Sequence, residues 1–377
     1  MGRMEELIQL LVEKGQHPKR TILEEAARTG KGLIGCFPPH TPDELVYAAG
    51  YLPVGLWGGS RQIKLAGKYL QSFACSLMRS NLELGMSGEY QMLDGVIIPL
   101  LCDHLKCVCD DWCIELKDIP TIPVSYVQQR KTGPGKAYMA REFEATLRRL
   151  DELRSGSTSE EELLLACRIY DEWRLAMQAF VKAAAEHPEV INVARRHYII
   201  KSAYYLDRLY HTQLVRELTG LLNELPRVPF AGPRVVVTGV MVDAPEILAA
   251  FDELNIAVVA DDLGQESRQF RALNGTEGSA CYRMADRLSR QDGDAFFHDL
   301  EKRRGPMLLD MVKQFKADGV VFNQMSFCDA EEFDYPVFKK ELEQAGIPLL
   351  YIESNQYVES AEQIKTRLQG FREMLLV

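Results

Sequence analysis

Residues 94–103 read DGVIIPLLCD, and residues 318–329 read DGVVFNQMSFCD. Each segment is an apolar run that follows Asp-Gly and ends in Cys-Asp, and each is followed by a helix-like stretch and an Ile-Pro strand. Such matching segments indicate an internal repeat. A cysteine at the carboxyl end of a parallel strand lies at the crevice where open α/β sheets bind ligands. Two crevices that face each other would bring Cys102 and Cys328 together.

The repeat extends to the elements that precede each cysteine. GLIGCFP (32–38) and LPVGLWG (52–58) are strand-like, and between them TPDELVYAAG (41–50) is typical of a helix with Thr41 as its N-cap. RVVVTGVMVD (234–243) begins the same order of elements in the second half. Strands that alternate with helices predict a parallel sheet.

A helical segment separates the two halves. Residues 136–226 contain almost no strand signal, and a capping box at Ser159 precedes apolar residues at spacings of three and four. We therefore predict an α/β protein in which two similar flavodoxin-like parallel-sheet domains flank a helical segment, with the ligand site in the cleft between the domains. The predicted parts are N-terminal helices (1–30), a first α/β domain (31–130), the helical segment (131–229) and a second α/β domain (230–377).

Two further helix starts are predicted in the second half. Asp334 is the expected cap of the helix after Cys328, with Pro336 early in that helix. Ser360 and Gln363 have the spacing of a capping box for the final helix.

Composition argues against several classes of partner. The chain has 377 residues and a formal net charge of −10, so neither nucleic acid nor an anionic membrane is expected as its main partner. No apolar run approaches the ~20 residues that span a bilayer, and the N-terminus lacks the apolar region of a signal peptide. We therefore expect a cytoplasmic protein. Nine cysteines without a secretion signal indicate a reducing compartment, where thiols pack, bind metals or react.

Cys75, Cys102 and Cys328 are candidate ligands of an iron–sulfur cluster. A cuboidal cluster needs thiolates that converge on one point, and no local C-x2-C-x2-C run supplies them here. Cys75 precedes SLMRSNLEL, an amphipathic stretch whose positive helix end would face its thiolate. Residue type alone favours buried free thiols. The repeat brings the two interpretations into balance for Cys102 and Cys328 and leaves Cys75 undetermined.

The other cysteines of the segment CDHLKCVCDDWC (102–113) fit no common zinc or ferredoxin spacing. Cys102 and His104 could begin a zinc site, but no convincing partner pair is present. No role is assigned to the cysteines at 107, 109 and 113.

A charged segment, VVADDLGQESRQFR (258–271), is a second candidate site. It is expected to place Asp261, Asp262, Glu266 and Arg268 just past a strand end, where they could bind substrate or orient a cluster ligand. A solvated loop with a local ion pair is slightly favoured. KRRGP (302–306) is interpreted as a basic surface turn, with phosphate binding as the less favoured alternative. Neither G-x-x-x-x-G-K-[ST] nor G-x-G-x-x-G after a strand is present, so ATP or dinucleotide binding through those loops is not expected.

Several of these segments resemble the 2-hydroxyacyl-CoA dehydratases, a family that also includes benzoyl-CoA reductase subunits and double-cubane cluster proteins. The resemblance runs along nearly the whole chain and is carried by GCFPPHTPDELVYAAGYLPVGLWGG, FACSLMRSNLE, LDGVIIPLLCD, VVADDLGQESRQFR and FCDAEEFDYPVFKKELEQAGIPLLYIE. The chain looks most like the shorter, β-type subunit of the 2-hydroxyglutaryl-, phenyllactyl- and 2-hydroxyisocaproyl-CoA dehydratases.

The resemblance implies that Cys75, Cys102 and Cys328 ligate one [4Fe-4S] cluster with one iron open. It also implies a heterodimer with a homologous α subunit and an ATP-dependent iron–sulfur activator that supplies one electron. Water would then leave an (R)-2-hydroxyacyl-CoA through a ketyl radical, as in amino-acid fermentation by anaerobes. Glu266 and Arg268 are tentative substrate or second-sphere residues, and no general base is assigned.

Two alternatives remain open. One is a homodimeric double-cubane reductase of the same superfamily that acts on small molecules. The other is a non-enzymatic α/β scaffold in which the cysteines only pack.

Overall fold

Two parallel sheets with the same strand order form the frame of the protein. The computed structural model describes residues 2–357 and 361–376. The first sheet has the order β2-β1-β3-β4 and the second β6-β5-β7-β8, so both follow one flavodoxin-like pattern and the predicted fold class is confirmed. The strands are β1 (Leu33–Cys36), β2 (Leu52–Gly55), β3 (Gly95–Leu100), β4 (Thr121–Ser125), β5 (Arg234–Gly239), β6 (Ala257–Leu263), β7 (Gly319–Met325) and β8 (Leu349–Ser354).

Helices cover the sheets and fill the space between the two halves. Those of the described residues are α1 (Gly2–Gln16), α2 (Pro18–Thr29), α3 (Asp43–Ala48), α4 (Ser76–Met86), α5 (Asp103–Glu115), α6 (Gly133–Leu153), α7 (Glu160–Glu186), α8 (Val193–Ser202), α9 (Arg208–Asn223), α10 (Pro245–Glu253), α11 (Ala280–Ser289), α12 (Arg304–Phe315), α13 (Asp329–Gln344) and α14 (Glu362–Leu375). None of them is long and apolar enough to cross a membrane. The predicted domain boundaries stay a prediction.

The central strands are buried along nearly their whole length. All residues of β1 and β7 are buried, and only the last residue of β3 is partly exposed. Unbroken apolar runs of this kind are typical of parallel strands with both faces covered. In each sheet the strand order reverses between the first and third strands, which leaves a crevice at their carboxyl ends.

The helical segment has its own core, which is centred on α7. The capping box at its start is confirmed, because the Ser159 hydroxyl accepts the Glu162 N–H and the Glu162 carboxylate accepts the Ser159 N–H. Apolar side chains of α7, α8 and α9 pack with those of α1 in one cluster, which includes Leu7, Met177 and Phe180. The N-terminal helix is therefore held by the helical segment.

Two predicted helix caps are wrong, and one lies outside the described residues. Helix α3 begins at Asp43 with Pro42 at its N-cap, because the Thr41 hydroxyl instead donates to the Phe37 carbonyl in the turn after β1. Helix α13 begins well before Asp334, since Cys328 occupies its N-cap and Pro336 lies inside the helix. Ser360 of the predicted final capping box is outside the described residues.

Gly239, at the carboxyl end of β5, is a strict conformational requirement of the second crevice. Its φ is +142°, and a Cβ there would overlap the backbone carbonyl oxygen of Asn323 on the neighbouring β7. We predict that Gly239→Ala lowers the free energy of unfolding by more than about 1 kcal/mol, because the strained φ and the backbone overlap both oppose it. Denaturant unfolding of both proteins measures the change.

Gly220→Ala is the matched control for this substitution. Gly220 lies inside α9, and a Cβ there meets nothing within 4 Å. We expect this variant to be more stable than the parent by about 0.5–1 kcal/mol, because alanine favours the helical backbone. Equal stabilities for the two alanine variants would contradict the prediction.

Candidate metal centre

A cavity of about 340 Å³ lies where the carboxyl ends of the two sheets meet. Residues that follow the two central strands of each sheet line it. They are Pro38 and Pro39 after β1, Leu101 and Cys102 after β3, Val240 after β5, and Met325 and Cys328 at the end of β7 and after it. The two crevices therefore face each other, as the repeat predicts.

The structure brings Cys75, Cys102 and Cys328 to this one cavity. Each occupies the N-cap position of a helix, respectively α4, α5 and α13. None of the three forms a disulfide. First-turn backbone N–H groups act on each sulfur and favour its thiolate form, an effect known for cysteines at helix N-termini. All three sulfurs therefore lie at the positive end of a helix.

Burial has the opposite and larger effect on these thiols. It raises the pKa of Cys75 to about 12 and also raises the pKa values of Cys102 and Cys328 above their ordinary range. The Glu331 carboxylate raises the pKa of Cys328 further, and negative charge on Cys75 or Cys102 would act in the same direction. The thiols are neutral at pH 7 unless a metal displaces their protons, as metal binding to cysteine requires.

The donor set fits a cluster better than it fits a single ion. Among residues 2–357 and 361–376, no three His, Cys, Asp or Glu side chains converge closely enough to hold one metal ion. A cuboidal cluster takes its thiolates at separate corners, so it needs ligands spread around a cavity, as these cysteines are. The structure gives no support to a zinc site at Cys102 and His104.

Cys75 is held in place from both halves of the chain. Its backbone N–H donates to Nδ1 of His104, on α5, over 3.4 Å. The next residue, Ser76, accepts the backbone N–H of Gln356 at 3.0 Å, and the Gln356 side chain donates to the Trp57 carbonyl. The second half therefore fixes the start of α4.

Cys328 follows a tight turn supported by a buried amide. The Gln324 side chain, which is fully buried, donates to the carbonyl oxygens of Met325 (2.9 Å) and Cys328 (3.1 Å). Phe327, between them in the chain, has a φ of +64°, which is strained for a bulky residue. Gln324 could not be predicted as a supporting residue, because an amide in an apolar strand has no local partner in the sequence.

Asp261 and Asp262 do not lie in a solvated loop, and that expectation is wrong. Both belong to β6 and are buried. Asp262 accepts hydrogen bonds from three guanidinium groups, and burial of this carboxyl is outweighed by their charges, which hold its pKa below its ordinary range. The donors are Arg268 (2.9 and 3.0 Å), Arg271 (2.6 Å) and Arg304 (3.1 Å).

The basic surface turn predicted at 302–306 is also only partly correct. Lys302 and Arg303 are exposed, whereas Arg304 is only 3% exposed and pairs with Asp262 and Glu331. Its partners are distant in sequence, so the charged run alone could not reveal its burial.

Arg268 lies behind Cys328 and does not line the cavity. It is 1% exposed and bridges Asp262 to Glu331, whose carboxylate it contacts at 3.0 Å. The Glu331 backbone N–H donates to the Cys328 carbonyl. This chain of contacts links Arg268 to the start of α13. Its second-sphere role stays a prediction.

Glu266 belongs to a different buried network, which joins α8 to the second sheet. It accepts from Arg196 and from Nδ1 of His197 (2.9 Å), while Nε2 of His197 contacts Asp243 at 2.7 Å. Lys201 also pairs with Asp243. Glu266 does not line the cavity, and its predicted role in substrate binding stays a prediction.

The remaining cysteines of α5 do not line the cavity. Cys109 is buried in the core, whereas Cys107 and Cys113 are exposed free thiols. Cys109 and Cys113 serve below as matched controls.

Along nearly its whole length, the chain is similar in sequence to subunits of one group of enzymes. Residues 39–375 match the family model described as 2-hydroxyglutaryl-CoA dehydratase, D-component. The chain is 40% identical to the lactoyl-CoA dehydratase subunit beta of Anaerotignum propionicum over all of both chains. It is 38% identical to the (R)-phenyllactyl-CoA dehydratase beta subunit of Clostridium sporogenes over 96% of each chain. It is 33% identical to the (R)-2-hydroxyglutaryl-CoA dehydratase, subunit beta, of Acidaminococcus fermentans, over 94% of this chain and 96% of that one.

Removal of Arg268 tests the buried network behind Cys328. We predict that Arg268→Met lowers the free energy of unfolding by about 3–5 kcal/mol, because the fully buried carboxylates of Asp262 and Glu331 each lose one of the guanidinium groups that compensate their charge. Arg216→Met is the control, since Arg216 pairs with Glu172 on the surface and such pairs contribute about 0–1 kcal/mol. Denaturant unfolding compares both variants with the parent. A loss for Arg268→Met as small as the control's would contradict the prediction.

The pH dependence of stability tests the network around His197. Burial alone would lower the pKa of His197, but hydrogen bonds to Asp243 and Glu266 raise it above its ordinary value. The stabilisation is therefore fully present below the unfolded pKa of about 6.5 and is lost as the pH rises through the folded pKa. We predict that His197→Gln is destabilised more at pH 6 than at pH 9. The surface variant His17→Gln is the control, and an equal loss at both pH values would contradict the prediction.

Proposed function

This chain belongs to the 2-hydroxyglutaryl-CoA dehydratase D-component family, and we propose that it is the iron–sulfur β-type subunit of an (R)-2-hydroxyacyl-CoA dehydratase. The observation that supports the proposal is the convergence of three cysteines, each at the N-cap position of a helix, on one cavity between the two sheet crevices. The relatives differ in the acyl group that their names give, so the proposal specifies the 2-hydroxyacyl thioester only as a class.

Cys75, Cys102 and Cys328 would hold a [4Fe-4S] cluster. When bound, it supplies a one-electron centre with one iron open to a further ligand. The chain's contribution is to orient the three sulfurs at helix N-termini and to keep the surroundings apolar, with Leu77, Met78, Leu101, Val240, Phe296 and Met325 in the cavity wall. An apolar wall limits water near the sulfurs, which matters because solvent exposure and hydrogen bonding set cluster potentials.

The proposed reaction is the elimination of water from the thioester to give a 2-enoyl-CoA. One low-potential electron from a separate ATP-hydrolysing activator converts the thioester carbonyl to a ketyl radical. The radical expels hydroxide, loses a β-proton and returns the electron, so that no net redox change occurs. The β-C–H of the saturated thioester is too weakly acidic for a side-chain base, whereas the radical acidifies it. The absence of Walker-type sequences in this chain agrees with ATP chemistry on another protein.

A homologous α subunit is the proposed partner. The relatives are named as beta subunits. The companion subunit would carry its own cluster, so that the electron could pass between the two clusters and the acyl-CoA could bind in the heterodimer. The two alternatives to this proposal are the homodimeric double-cubane reductase and the scaffold without a cluster, which were both left open by the sequence.

Metal analysis tests the proposed ligands. We predict that the anaerobically purified chain contains iron and acid-labile sulfide, and that Cys75→Ala, Cys102→Ala and Cys328→Ala each lose most of both. Cys109→Ala and Cys113→Ala on α5 are the matched controls and should retain them, because neither side chain lines the cavity. Unchanged iron content in the three cavity variants would make the ligand assignment wrong and leave the scaffold alternative.

The same preparation distinguishes the two enzyme alternatives. Co-expression with a homologous α subunit should yield a heterodimer whose dehydration of a 2-hydroxyacyl-CoA requires the activator and ATP. A stable homodimer that carries a larger cluster and is active on small molecules without CoA would instead support the double-cubane reductase.

A further inference from the structure

His104 lines the cysteine cavity and contacts one of its proposed ligands. It is the second residue of α5, two positions after Cys102, and its ring is partly buried. Its Nδ1 accepts the backbone N–H of Cys75 over 3.4 Å. One imidazole therefore links the helix start that carries Cys102 to the helix start that carries Cys75.

This contact decides which ring nitrogen carries the proton. A neutral imidazole has one donor and one acceptor nitrogen, so the accepting role of Nδ1 places the proton on Nε2. No hydrogen-bond partner of Nε2 occurs among residues 2–357 and 361–376. His104 thus carries an unused N–H donor in the wall of the cavity.

No other polar side chain of the described cavity wall offers a partly buried N–H donor. Lys106 donates to Asp103 at 3.1 Å, and both side chains are largely exposed, at 58% and 92%. Asp329 is an acceptor when ionised. Apart from the cysteines themselves, the rest of the wall consists of apolar side chains such as Leu77, Met78, Leu101, Val240, Phe296 and Met325.

We propose that His104 is a positioning residue that donates a hydrogen bond from Nε2 to a sulfur of the cluster or to the group on its open iron. This inference rests on the proposed function, because it needs a cluster in the cavity. A donor stabilises the added negative charge of the reduced state, and hydrogen bonds to cluster sulfurs are among the determinants of its potential. His104 therefore raises the reduction potential of the site and fixes Cys75 relative to Cys102.

Two substitutions separate these contributions. In His104→Asn the amide oxygen can occupy the place of Nδ1 and keep the Cys75 contact, but nothing replaces the Nε2 donor. In His104→Gln the longer amide can place an N–H near the former Nε2 position. His17→Asn, at an exposed histidine before α2, is the control. The experiment is an anaerobic redox titration of the full chain with its cluster reconstituted, monitored by EPR, with iron analysis of each variant.

We expect all variants to retain iron, His104→Asn to shift to a lower reduction potential, and His104→Gln and His17→Asn to stay close to the parent. An unchanged potential in His104→Asn overturns the proposal. So does a directly bound nitrogen in the pulsed EPR spectrum of the parent, or loss of iron in both His104 variants, because either makes His104 a ligand or a purely structural residue. If the parent itself binds no cluster, the proposed function fails together with this inference. If the parent binds a cluster through the three cysteines but His104→Asn leaves its potential unchanged, only this inference fails.

Discussion

The facing crevices of two like-ordered sheets are the constraint on which the site depends. In each sheet the strand order reverses between its first and third strands, and the carboxyl ends of these strands cannot be covered by a crossover helix. Cys102 and Cys328 follow the third strands and occupy the N-cap positions of the helices that come next. Their separation in sequence is large, yet the duplication places them at equivalent strand ends, and the facing of the two crevices brings both to one cavity.

Buried charges hold this arrangement rigid. Asp262 and Glu331 are fully buried and share Arg268 and Arg304. Taking such charges out of water costs several kcal/mol each unless all are paired, so β6, α12 and α13 cannot move apart without exposing unpaired groups. The N-terminus of α13, which carries Cys328, is therefore positioned by electrostatics as well as by packing. The network around His197 fixes α8 to the second sheet in the same way.

The wrong predictions for Asp262 and for the start of α13 have a common physical origin. The segment around Asp262 was expected in solvent because its charges are dense and its neighbours in sequence supply only one ion pair. Its actual partners include Arg304 and Glu331, which lie far along the chain. Likewise, the cap of α13 was expected at Asp334, because a carboxylate before proline is the ordinary signal, whereas the helix begins at the cysteine that faces the cavity. Local sequence patterns do not reveal ion-pair partners or helix starts that depend on contacts between distant parts of the chain.

The sequence by itself determined the α/β class, the duplication, and the place of Cys102 and Cys328 at strand ends, because strand periodicity and strand-end position are local properties. The family resemblance added Cys75. Only the tertiary structure decided that Cys75 meets the other two, since the contacts that hold it come from His104 and Gln356. It also decided that Arg268 lies behind Cys328 and that His104 lines the cavity beside Cys75. Burial and long-range pairing set these roles, and neither is encoded in any short stretch of the chain.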